Sequence, residues 1–181
     1  MNEKLLSVIT EIFPTFNPYI AERVRESIIE TSKSRIQDVY IESPKTQDIL
    51  QGDIFEDVEF LFYNNEGEIK KIKTDAIVIS NTCDISRNKK LIFAPFIPIK
   101  NLAENSDLEA LKKNIIFNKF YIKEFEEKII DFDSIINIPQ KKFSEILPKR
   151  KCSLTRYGFY MLLIKLSVYL MRVESDEVKR N

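Results

Sequence analysis

Two short stretches of this 181-residue chain hold the residue types that could do chemistry. The first is Asn81-Thr82-Cys83-Asp84, followed by Arg87. One reading is a ligand-facing loop with Cys83 as a nucleophile. The other is a turn between strands, in which Asp84 bonds backbone amides and Cys83 packs as a small apolar group. Arg87 is the one nearby cation able to lower the thiol pKa. The second stretch is Lys149-Arg150-Lys151, followed by Ser153 and Arg156 at a helix start. Cations beside free helix amides suit a phosphate, and Lys141 and Lys142 extend the run. The alternative is a solvated basic loop.

Other constellations say less. Asp53 with Glu68-Ile69-Lys70 mimics the Asp…Glu-x-Lys set of metal-dependent nucleases, but Glu-x-Lys recurs at Glu126 to Lys128 and Glu177 to Lys179. Asp131-Phe132-Asp133 places two carboxylates on one strand face, as any half-exposed strand can. Phe120, Tyr121 and Phe125 have the chemistry to stack on bases, yet their pattern is that of core residues. The chain has no histidine. That removes the usual general base near neutral pH and the usual partner of a catalytic Ser or Cys. Two cysteines, Cys83 and Cys152, cannot build a four-thiolate zinc site. No catalytic residue, metal or cofactor is therefore assigned.

Lys and Arg total 28, as do Asp and Glu, so net charge selects no class of partner and any polyanion site must be local. The stretch MNEKLLSVITEIF has no small-residue cleavage site and does not read as a signal peptide. No apolar run reaches the ~18 residues of a membrane span; the nearest, YGFYMLLIKLSVYLM, is split by Lys165. No membrane partner is expected, and reduced thiols in the cytoplasm fit the cysteine count.

The elements that must position these residues follow from period and punctuation. A single domain, 1–181, is expected in three segments. The N-terminal segment, 1–44, reads as a helix over residues 2–13 stopped by Pro14, a second from Pro18 to Ser32 capped by Asn17, and a strand over Arg35 to Ile41. The core, 45–139, carries strands over Ile54–Tyr63, Glu68–Thr74, Asp75–Ser80, Leu91–Ile99, Phe120–Phe125 and Lys128–Ile138. A helix over roughly 106–117 is inserted, begun by the capping-box pattern Ser106-Asp107-Leu108-Glu109. The third segment, 140–175, holds one helical turn at Phe143–Leu147 and a long helix, Leu154–Val173, capped by Ser153. That helix is apolar around most of its circumference, so it is either buried or a homodimer contact.

Gly52-Asp53-Ile54 opening a strand, then Ala76-Ile77-Val78-Ile79-Ser80-Asn81, then Leu91-Ile92-Phe93-Ala94-Pro95, resembles the order in MazF/PemK-like toxins. The resemblance spans about fifty residues and implies a small SH3-like barrel, a dimer and RNA cleavage. Two positions depart from that pattern. Where the toxins place an Arg before the second strand, to stabilise charge on the scissile phosphate, this chain has Thr74-Asp75. Where a hydroxyl residue follows the Pro of the next strand, it has Phe96-Ile97-Pro98. Ser80, Cys83, Asp84, Ile85 and Met171-Arg172-Val173 are similar to a group of bacterial proteins with a Ser-x-x-Cys-Asp-Ile turn, a group that brings no activity with it.

The sequence thus leads us to expect an α+β fold: an SH3-like β-barrel flanked by N-terminal helices and a long C-terminal helix. The expected role is a non-catalytic binding module of a bacterial toxin–antitoxin or phage-defence system, recognising a partner protein or nucleic acid. The alternatives are a divergent MazF/PemK-like endoribonuclease and, more remotely, a hydrolase using Cys83.

Overall fold

The computed structural model describes residues 39–63, 66–85, 87, 90–102, 107–139, 141 and 149–170. Its strands are β1 (Ile41–Glu42), β2 (Ile54–Tyr63), β3 (Ile69–Val78), β4 (Lys90–Pro98), β5 (Lys119–Phe120), β6 (Lys128–Asp131), β7 (Ile136–Pro139) and β8 (Arg150–Leu154). The helices are α1 (Thr82–Ile85), α2 (Leu108–Lys112) and α3 (Arg156–Leu170). The fold is α+β, with one antiparallel eight-stranded sheet in the order β1-β8-β2-β3-β4-β6-β5, and β7 also paired to β4. No helix among the described residues is long and apolar enough to cross a membrane.

The sheet is buried on both faces where its sequence is continuously apolar. In β3, Ala76, Ile77 and Val78 are all fully buried. Alternation sends Ile77 to one face, with Ile54, Ala94, Phe96 and Leu162 and Leu166 of α3. Ala76 and Val78 go to the other, with Phe55, Val58, Phe60, Leu91 and Phe93. Towards its start β3 becomes polar and its Lys70, Lys71 and Lys73 are exposed. The two strands expected on either side of Asp75 are therefore one ten-residue strand.

The expected closed barrel over 45–139 is not formed. β2 pairs with β3 from Ile54↔Ile77 to Tyr63↔Ile69, but the register slips between Phe55 and Val58. One extra residue is accommodated there as a bulge, and Asp57 takes φ 55°. The other edge of β2 meets β8 only through Ile54 and Phe55. At the far side, β4 pairs with β7 through Lys90–Phe93 and with β6 through Phe96–Pro98. The change of partner falls around Pro95, which has no N–H to donate. β7 has β4 as its only neighbour among the described strands, so β2 and β7 do not close the ring.

Three further expectations are corrected. Residues 150–154 are a strand rather than the start of a helical segment, and the last helix begins at Arg156. Its cap is Thr155, whose Oγ1 accepts from Gly158 N at 3.1 Å and donates to Val39 O at 2.7 Å. The inserted helix spans only Leu108–Lys112; Asp107 caps it, and Asn114 at φ 58° turns the chain away soon after its end. The expected strands at 120–125 and 128–138 are interrupted by 3-10 turns at Lys123–Phe125 and Phe132–Ser134. The helices expected at 2–13 and 18–32, the turn at 143–147 and residues 171–173 lie outside the described residues.

Candidate functional site

Strand formation at 150–154 disperses the basic run. Arg150 enters the sheet next to Phe55 and its guanidinium reaches the carboxylate of Asp53, which is wholly buried. Nη1 donates to Asp53 Oδ2 at 2.9 Å and to Asp48 O at 2.6 Å, and Nη2 donates to Thr46 O. Ser153 Oγ donates to Asp53 Oδ1 at 2.6 Å, and Leu50 N donates to Oδ2 at 2.9 Å. Asp53 is thereby matched on both oxygens, and Arg150 is committed to holding the Gly52-Asp53 turn. Gly52 itself has φ 93° and donates to Val78 O at 2.8 Å.

Lys149 lines a groove between β2 and β7. Arg156 lies over the ring of Tyr160, 5.8 Å from its centroid. Lys151, the extra residue where β8 slips against β2, reaches Asp75 on β3. Lys149, Arg150, Lys151 and Arg156 therefore do not share one target.

Asp75 is the centre of a different cluster. It stands opposite the β2 bulge and is 7% exposed. Its Oδ2 accepts from Lys128 Nζ of β6 at 3.0 Å and lies 3.6 Å from Lys151 Nζ. The lysine side chains are 40% and 47% exposed, so both ammoniums keep donors facing solvent. Lys151 also sits over the Phe125 ring, 5.5 Å from its centroid, and that ring packs on Phe96. Two ammoniums on one carboxylate oxygen leave a surplus positive charge at this point. Next to it, burial pushes the Cys152 thiol up to about 11; Asp75, Asp53 and Glu124 act in the same direction and Lys151 opposes them. Cys152 is held as a thiol and is no nucleophile.

The polar turn is largely engaged in its own construction. Asn81 Oδ1 accepts from Cys83 N at 2.9 Å, and Asn81 O accepts from the amides of Asp84 and Ile85. Thr82 Oγ1 accepts from Gln51 N at 2.9 Å, tying the turn to the one that holds Asp53. Cys83, Asp84 and Arg87 are exposed. The capping carboxamide is Asn81; Asp84 does not take that part. The paired carboxylates of the 131–133 segment are also structural: Asp131 Oδ1 accepts from Lys119 Nζ at 2.5 Å and from Asp133 N at 3.1 Å. No group of His, Cys, Asp and Glu suited to a metal ion occurs among the described residues.

Nothing local in the sequence links Lys128, Asp75 and Phe125; strand pairing unites them. The available hint was a carboxylate directly preceding the apolar run at 76–78. No protein-family model matches the sequence, and no curated protein matches it significantly.

Proposed function

We propose that this chain is a non-catalytic binding module of a bacterial toxin–antitoxin or phage-defence system, and that its ligand is a nucleic acid. The observation that carries this is the Asp75 cluster, in which one buried carboxylate orients two half-exposed ammoniums from β6 and β8. A phosphodiester accepts from such donors, and lysine serves it as a point charge. The exposed ring of Tyr63, at the far end of the β2–β3 hairpin, supplies a flat face for a base. The setting rests on the MazF/PemK-like resemblance, with the SH3-like barrel as the inherited plan of the sheet and α3 as a homodimer contact.

The test is a titration with single-stranded RNA at several salt concentrations. In the Lys128→Ala/Lys151→Ala variant, affinity falls and the slope of log K against log salt flattens by roughly 0.7 for each contact removed. Unchanged affinity and slope would remove the cluster from the reading. Arg150 is unsuitable for this experiment because its removal strands Asp53 without a cation. The endoribonuclease alternative draws on the same cluster, since its two ammoniums could stabilise charge developing on phosphate. Discrete products from a long RNA would favour it; intact RNA leaves the binding role.

A further inference from the structure

We draw no further inference here: the strongest candidate, the exposed apolar patch of Leu61, Tyr63 and Ile69 on one face of the β2–β3 hairpin, carries nothing because Lys71 beside it is already paired with Glu59 and nothing in the structure shows what covers it.

Discussion

Lys165 is the sharpest test of the packing described above. It lies on α3 between Leu162 and Leu166, is 5% exposed, and donates to the carbonyl oxygens of Asn114 and Ile116. No ion pair with a carboxylate is found for it among the described residues. Burial alone lowers its pKa from 10.5 to about 8. Below pH 8 both the folded and the unfolded chain carry the proton. Between pH 8 and 10.5 the folded chain releases it while the unfolded chain keeps it, so this residue makes stability rise with pH across that window. The shift corresponds to about 3 kcal/mol at 1.36 kcal/mol per unit. Two kinds of group oppose it: the Cys152 thiol, raised from 9.0 to about 11, and the phenols of Tyr121 and Tyr169, also raised mainly by burial. All three lower stability as pH rises through their windows. They are common to the wild type and Lys165→Met, so they cancel in the comparison. Urea unfolding of both proteins at pH 7, 8, 9 and 10 should show the wild type gaining on the variant, by about 3 kcal/mol in full. The two carbonyls left without their donor add a constant offset of roughly 1–3 kcal/mol each, which does not alter the slope. A difference independent of pH would refute the buried, carboxylate-free placement of this ammonium.

Three further outcomes follow from the same packing. A Cβ on Gly158 would meet the Tyr40 carbonyl oxygen inside van der Waals contact, so Gly158→Ala should cost about 1–3 kcal/mol; an unchanged melting temperature would contradict that approach. Arg150→Met leaves Asp53 buried and unmatched and should cost about 3–5 kcal/mol, with partial recovery when Asp53→Asn is added; no loss on denaturant unfolding would mean the pair is not closed in solution. Cys83 is exposed and Cys152 buried, so a disulfide reagent should label one thiol in the native protein and both after unfolding, and mass mapping of a labelled Cys152 in the native state would argue against the strand at 150–154.

Legibility from sequence tracked how local the determining signal was. β2 runs from Ile54 to Tyr63, as its alternation and flanking turns indicate. The apolar run at 76–78 is buried on both faces for the reason its composition suggests. β3 reads as two strands because its pattern changes at Asp75, where the strand passes from exposed to buried on both faces. RKCSL reads in sequence as a basic, capped helix start, yet it forms β8. What makes it a strand is Asp53 some hundred residues upstream, together with the short stretch of β2 edge left before the bulge. The cations of 149–151 were visible as residue types, but their separate destinations were set by strand register. Lys128 carries no local mark of its part in the Asp75 cluster.

The position of β8 has a consequence for how the protein comes into being. This last of the described strands is laid down between β1 and β2, both of which precede it in synthesis by about a hundred residues. Until it emerges, β1 lacks its one partner among the described strands and Asp53 lacks its guanidinium. Assembly of this sheet must therefore wait until residues 150–154 have been synthesised, and products truncated ahead of residue 150 should be recognised by proteases as unfinished.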